Sequence, residues 1–312
     1  MIEKSEFVCN ERGVRLDAAL LSAFPGTTRA FVRDAIANGQ ILVNGRSAPK
    51  GLKLKGGERI AVLRLLEAPD NRVKPVPDPN LAPIFEDDSL LAYDKPAGVP
   101  VQPISCTETG TLMNGVVAAH PECAAVGDSP LMAGALHRID AGTSGLVMVA
   151  RTEAAFEAMR AQFAAQTVEK TYLALVEGAV AVGGTLENDL AHDPTLPFCR
   201  MIDSRRNRLT QAQRERLRPL RAVTKYEPVA HCTAGCEERT LLEVKIRTGV
   251  THQIRAQLAL AGMHIVNDTL YGAFAVEHMK GHRLHALAAS FSHPSSGEPV
   301  ELRTSMPGWA RI

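Results

Sequence analysis

A carboxylate and a guanidinium two residues apart, Asp140 and Arg138, lie in the stretch HRIDAGTSGLVMVA, just ahead of a wholly apolar run from Leu146 to Ala150. A carboxylate held near a guanidinium stays ionised and can serve as nucleophile or base. The small residues of AGTSG allow a bulky ligand or another backbone to come close. Taken alone, the pattern is explained as well by an Asx turn at a strand entrance, with Arg138 in a surface ion pair. Two other stretches bear on it. RTGVTHQIRAQLALAG, from Arg247 to Gly262, reads as the end of a strand, a Thr-Gly turn and a helix whose first turns carry His252, Gln253 and Arg255. A buried arginine there can pair with Asp140 bidentately and orient it, although the same residues also suit a helix start facing water. EKTYLALVEG places Lys170 and Tyr172 on one face of a strand. A tyrosine at a site can stack on a base or transfer a proton; in a plain core it is only a half-buried aromatic.

The elements that must position these residues fall into two sections. From about Arg12 to Leu65, RLDAALLSAF and TTRAFVRDAIANG carry helical apolar stripes, the second with Thr27 or Thr28 as N-cap and Gly39 as its stop. QILVNGRSA then predicts strand, Asn-Gly turn and strand, and GERIAVLRL a closing strand. Ten basic residues, Arg12, Arg15, Arg29, Arg33, Arg46, Lys50, Lys53, Lys55, Arg59 and Arg64, face four acidic ones, Glu11, Asp17, Asp34 and Glu58, a local charge of +6. A proline-rich polar stretch over 67–83 reads as linker. The domains expected are therefore 1–66, a linker at 67–83, and 84–312. In the last, SLLAYDKP, GLVMVAR, KTYLALVEG and RTLLEVKIRTG predict strands, while EAAFEAMRAQFAAQ and THQIRAQLALAG predict helices. Their irregular interleaving favours an α+β domain with a mainly antiparallel mixed sheet. Between them, SRRNRLTQAQRERLRPLR concentrates seven arginines, including Arg205 and Arg206, as either a solvated face or a row of phosphate contacts.

Composition narrows the class. The 312 residues are 45% hydrophobic, enough for a sizeable core, and the net charge of +1 neither demands nor excludes nucleic acid. Six cysteines, Cys9, Cys106, Cys123, Cys199, Cys232 and Cys236, form no CxxC pair and suit reduced thiols in a cytoplasmic protein. Cys232 and Cys236 near His231 hint only weakly at metal, and His137, His252 and His285 sit in separate motifs, so no metal is expected. No G-x-G-x-x-G or P-loop spacing occurs, which disfavours a nucleotide cofactor. No run of 18 apolar residues and no apolar signal-peptide core occurs, so no membrane partner is expected.

Several stretches together resemble the RluA-type pseudouridine synthases: EDDSLLAYDKPAGVPVQP with its Lys95-Pro96-Ala97-Gly98 turn, HRIDAGTSGLVMVAR, KTYLALVEG, AVTKYEPV, RTGVTHQIRAQLALAGMHIVNDTLYG and RLHALAASFSHPSSGEP, in that order. RLDAAL, TRAFVRDAIANGQILVNG and KGGERIAV resemble an S4 domain, a small α/β RNA-binding fold. The resemblance implies a cofactor-free isomerase that extrudes a uridine from structured RNA, since a stacked base is out of reach, and converts it to pseudouridine. It makes Asp140 the nucleophile on the uracil or its ribose carbon. Arg255 becomes its ion-pair partner, and Tyr172 lies against the base and serves in proton removal. Arg138 holds the loop and occupies space in the base stack, and Thr143, His252 and Gln253 join it as substrate contacts. Arg29, Arg33, Asn44, Lys53, Arg205 and Arg206 are the expected RNA contacts. Large-subunit ribosomal RNA is the substrate favoured, with transfer RNA as the alternative, and the protein is expected to be a monomer. Four positions depart from the family pattern: Val250 and Ala141 where basic residues are usual, Gln257 for His, and Asn267 for Gly. They leave open a non-catalytic RNA-binding or ribosome-assembly factor. A carboxylate-dependent hydrolase is weaker, because no second acidic residue lies beside the site at recognisable spacing.

Overall fold

The computed structural model describes every residue except Lys50, Ala68, Pro69, Asp70, Pro197, Phe198, Gly235 and Cys236. Lys50 of the basic section and Cys236 of the Cys232 pair therefore lie outside the described residues. The chain divides into two compact units, Met1–Arg72 with Ser105–Thr107, and Val73–Ile104 with Glu108–Ile312.

The smaller unit runs β1 (Ile2–Cys9), α1 (Leu16–Ala23), α2 (Arg29–Ala37), β2 (Ile41–Val43), β3 (Arg46–Ser47) and β4 (Glu58–Leu65). Its antiparallel sheet has the order β1-β4-β2-β3. Thr28, not Thr27, caps α2 by accepting from Phe31 N, 3.3 Å. The Asn44-Gly45 turn has both residues at positive φ, 49° and 77°, which matches the twist of the flanking strands. The apolar stripes of both helices meet the sheet in a core that includes Leu16, Leu20, Val32, Ile36, Ile41, Ile60 and Val62. β1 is an addition to the expected elements, paired along its length with β4.

The larger unit contains β5 (Phe85–Glu86), β6 (Leu90–Lys95), α3 (Leu112–Ala119), β7 (Ser144–Ala150), α4 (Glu153–Ala164), β8 (Glu169–Glu177), β9 (Gly184–His192), β10 (Met201–Asp203), α5 (Gln211–Leu217), β11 (Leu220–Ala234), β12 (Glu237–Ile246), α6 (Gln253–Leu260), β13 (Leu284–Ser292) and β14 (Pro299–Arg303). Its sheet runs β10-β9-β11-β12-β8-β13-β7-β6-β5, with β14 also on β13. Every pairing is antiparallel except β13 with β7. This is the mainly antiparallel α+β sheet that the interleaved pattern implies.

Alternation along β8 sends Tyr172, Ala174 and Val176 into one core and Leu173 and Leu175 into another, so both faces of the central strand are covered. The proline-rich stretch is not a free linker throughout. Val73 is buried, Asn114 on α3 donates to Lys74 O (2.8 Å) and receives Val76 N–H on its own carbonyl (3.0 Å). Apolar residues spaced among the prolines give this stretch a surface to bury, which proline content alone does not disclose. The arginine-rich stretch folds as well: Thr210 caps α5 in a reciprocal box with Gln213, and Arg214 donates to Leu209 O and Ser204 O.

Candidate active site

β7 begins where the Asp140 loop ends, and the parallel contact with β13 fixes that junction. Gly145, at φ 110°, lies so close to the Ala286 backbone that a Cβ there would overlap it. The small residues after Asp140 thus admit another backbone, one of the two roles open to them from sequence. The loop is tied down from three sides. Thr143 N donates to Asp140 O (3.0 Å), closing the turn, and Thr143 Oγ1 meets His282 Nε2 at 2.7 Å. Ala141 O receives Gly98 N–H (2.7 Å) and Lys95 Nζ (3.3 Å). Lys95 is fully buried and also donates to Pro96 O and Val99 O. Burial pushes its ammonium down to about 8, against the opposing charges of Asp140 and Asp94.

The α6 helix supplies the counter-charge. Arg255 Nη1 donates to Asp140 Oδ2 at 2.7 Å. Its other two contacts go elsewhere: Nε and Nη2 grip Asp268 at 2.7 and 2.8 Å. The bidentate pair expected with Asp140 is therefore made with Asp268, and Asp140 receives a single bond. The difference has a physical use, since a guanidinium clamped in its plane by a buried carboxylate presents its remaining edge in one direction. Burial works against the charge of Arg255, but the bonds and charges of Asp268 and Asp140 outweigh it and raise its pKa. Its guanidinium also lies 5.2 Å from the Tyr271 ring centroid. Asp140 keeps 27% of its side chain exposed, whereas Asp268 keeps 2%. One carboxylate is open to a substrate and the other is sealed.

His252 starts α6 in the left-handed region, φ 51°. Tyr271 Oη accepts from Met201 N (2.8 Å) and lies 3.1 Å from His252 Nδ1. His252 Nε2, at the other side of the ring, lies 3.7 Å from Asp140 Oδ1. Burial lowers the His252 pKa despite the nearby charge of Asp140.

A pocket of about 670 Å³ opens on this cluster, within the range of small-ligand sites. Asp140, Arg138, Thr143, Tyr172, His252, Gln253 and Arg255 all line it, so the sequence-derived candidates converge. They do not all face a ligand with free groups. Gln253 accepts from Thr248 Oγ1 and Val250 N and donates to Val223 O and Thr224 Oγ1, which uses its whole amide to fix the loop before α6. Thr143 is similarly committed to His282. Arg138 is exposed at the pocket. Tyr172 is buried, and burial followed by the Asp140 charge raises its phenol pKa, holding it neutral.

Sequence reasoning missed Asp268 and Tyr271 as members of the site, and Lys95 as its clamp. Their only signal was presence in VNDTLYG and in the Lys95-Pro96-Ala97-Gly98 turn. The four departures are explicable. Val250 is part of the pocket wall and packs with Leu190, Met201, Ala222, Ala256 and Tyr271. Ala141 acts through its carbonyl. Gln257, fully buried, bonds Thr224, Leu186, Asn188 and Ala222. Asn267 takes the left-handed conformation expected of glycine, φ 66°, and uses its amide to hold Val276, Met279 and Gly281.

Of the expected RNA contacts, Arg29 and Lys53 are exposed with no ion pair among the described residues, and exposed Arg33 touches its neighbour Asp34 at 3.3 Å. Asn44 is occupied in its own turn, accepting from Arg59 N. Arg205 pairs with Asp189 and Arg206 donates to Leu260 O, both on the surface. Among the described residues no group of three or more His, Cys, Asp or Glu could hold a metal, and no helix is long and apolar enough to cross a membrane.

An open carboxylate held by a clamped arginine at the mouth of a pocket of this size defines a small-ligand site of the kind found in enzymes. The RNA pseudouridylate synthase family model matches residues 89–260, and the S4 domain model matches residues 14–60. The ribosomal large subunit pseudouridine synthase D of Xanthomonas campestris is 35% identical over 95% of this chain and 86% of its own length. The protein of that name from Neisseria meningitidis serogroup B is 32% identical over 95% of this chain and 76% of its own. Among solved structures, the human RNA pseudouridylate synthase domain containing 1 shares the fold, with a TM-score of 0.59 over 75% of this chain and 87% of that one at 23% identity. The chain belongs to the RNA pseudouridylate synthase family and is an RNA uridine-to-pseudouridine isomerase with an S4 domain ahead of the catalytic fold.

Proposed function

We propose that Asp140 is the nucleophile of this isomerase and that large-subunit ribosomal RNA is its substrate. The observation that carries the first part is that Asp140 is the one acidic side chain lining the pocket among the described residues, with Arg255 on one oxygen and the other facing His252 at 3.7 Å. A uridine turned out of its stack and seated there meets the carboxylate either at the ring or at the ribose carbon. The bond from ribose to N1 breaks, the uracil turns, and C5 bonds to the ribose. The proton that leaves C5 is balanced by one gained at N1, so no redox partner or donated group is needed. Tyr172, buried in the pocket wall, lies against the base and serves in removal of the C5 proton.

The substrate assignment rests on the ribosomal large-subunit names of the relatives above, together with an S4 domain whose exposed arginines suit phosphate contacts. No relative named above carries a transfer-RNA name. A monomer acting in the cytoplasm is part of this proposal. The test is pseudouridine mapping of total ribosomal and transfer RNA from cells lacking this protein, complemented with wild type or with Asp140→Asn. Large-subunit sites that vanish and return only with wild type are the expected result. Sites restored equally by Asp140→Asn would remove Asp140 from the chemistry, and loss confined to transfer RNA would reassign the substrate.

A further inference from the structure

We infer that Ile104 is an apolar wedge that enters the RNA base stack as the target uridine leaves it; the inference rests on the RNA-isomerase reading of the pocket. Ile104 is 88% exposed, yet it lines the same pocket as Asp140. Full exposure of an isoleucine forgoes about 1.5–3 kcal/mol of burial. Exposed apolar side chains elsewhere on the larger unit, such as Val182 at 75%, do not line the pocket. The segment leading to Ile104 is rigid. Lys95 Nζ holds Val99 O at 2.6 Å, Leu112 N and Met113 N hold Pro100 O and Val101 O at 2.9 Å, and Glu108 Oε2 accepts from Ile104 N at 2.7 Å. The clamp that fixes the Asp140 loop through Ala141 O is the same Lys95 amine that holds Val99 O at the start of the segment leading to Ile104.

The chemistry of the side chain fits the task. A β-branched residue has little rotamer freedom to lose on insertion. Apolar wedges between base steps offset unstacking by filling the gap with surface that prefers to leave water. Arg138, another exposed side chain at the pocket, brings charge and hydrogen bonds; Ile104 brings only shape. The two would act together, Arg138 occupying space in the base stack and Ile104 adding an apolar edge beside it.

The experiment uses the full chain and a synthetic stem-loop copied from large-subunit ribosomal RNA, with 2-aminopurine next to the target uridine, comparing wild type with Ile104→Ser, Ile104→Met and Val182→Ser. The expected result is a fluorescence rise with wild type, Ile104→Met and Val182→Ser but not with Ile104→Ser. Ile104→Ser should bind the RNA normally and turn over the stem-loop about tenfold more slowly, as for about 1.4 kcal/mol of missing stacking. On an unstructured oligonucleotide, where no stack is broken, it should match wild type. Equal fluorescence and turnover for Ile104→Ser and wild type would overturn the wedge, as would no rise with any variant. A rise with wild type that depends on Ile104 but yields no pseudouridine would leave the wedge standing and overturn the catalytic reading instead.

Discussion

The two units handle positive charge in opposite ways. In the smaller one, Arg29, Arg33 and Lys53 stand in water, where a surface charge contributes little to stability. In the larger one, a single arginine, Arg255, is buried between two carboxylates of unequal exposure, and every donor position it uses is directed. Spread charge suits affinity for a polyanion; clamped charge suits placing one carboxylate against one atom. The contrast predicts that mutations in the two units fail differently, the first in binding and its salt dependence, the second in turnover.

The largest effect should come from breaking the clamp. Arg255→Lys keeps a cation but cannot grip Asp268 with two donors while reaching Asp140, and misplacement of this order costs about 100-fold in kcat. Substrate affinity should change little, since Arg255 is sealed beneath the carboxylate. Asp268→Asn keeps shape but weakens a charge-assisted pair worth about 1.5–3 kcal/mol, so about a tenfold or greater fall in kcat is expected. Single-turnover rates with RNA in excess over its Kd check both. A rise in KM with unchanged kcat would place these residues in substrate binding and not in positioning.

The next effect belongs to the smaller unit. Arg29→Ala with Arg33→Ala should weaken binding to a large-subunit ribosomal RNA transcript and flatten its dependence of log Kd on log salt by about 2, near one for each phosphate no longer neutralised. The single-turnover rate at saturation should be unchanged. A fall in that rate with an unaltered salt slope would mean these arginines act on the fold of the unit and not on RNA.

How far the sequence carries this contrast depends on where each property originates. Helices α1, α2, α4 and α6 and strands β6, β7, β8 and β12 were legible because each buries a periodic set of residues, and that period is written locally. β1 was not, because its alternation is weak and interrupted at Lys4, which sits at φ 49°; its partner β4 imposes the pairing. The Asp140–Arg255 contact was legible as chemistry, through opposite charges in two motifs. Its geometry was not, because Asp268, which decides how Arg255 is oriented, lies in an irregular turn whose burial depends on the surrounding elements. Gln253 shows the converse. A polar residue at a helix start suggests a ligand contact, but Val223 and Thr224 of β11 occupy its amide, and only the assembled sheet brings them there.

The last expected effect concerns stability in acid and not turnover or binding, and it should also divide the units. All ten histidines lie beyond Arg72, in the larger unit. His282 and His285 are buried beside hydroxyls, the first on Thr143 and the second between Ser144 and Thr304. Burial pushes each down to about 4, with the charge of Arg255 adding to the effect at His282. Unfolded, each titrates near 6.5. Between these values the unfolded chain binds protons that the folded chain refuses, so stability is fully present above pH 6.5 and is lost as pH falls toward 4. Each histidine can contribute up to about 3 kcal/mol across that window, at 1.36 kcal/mol per pKa unit. Both rings brace the junction of β7 and β13 that sets the Asp140 loop. Hydrogen exchange followed from pH 7 to pH 5, corrected for intrinsic rates, should therefore show protection falling in Ser144–Ala150 and Leu284–Ser292 while β4 of the smaller unit holds. His285→Gln, which can still bond both hydroxyls but does not titrate, should reduce that fall. A uniform loss across both units would assign the acid response to net charge and not to these two rings.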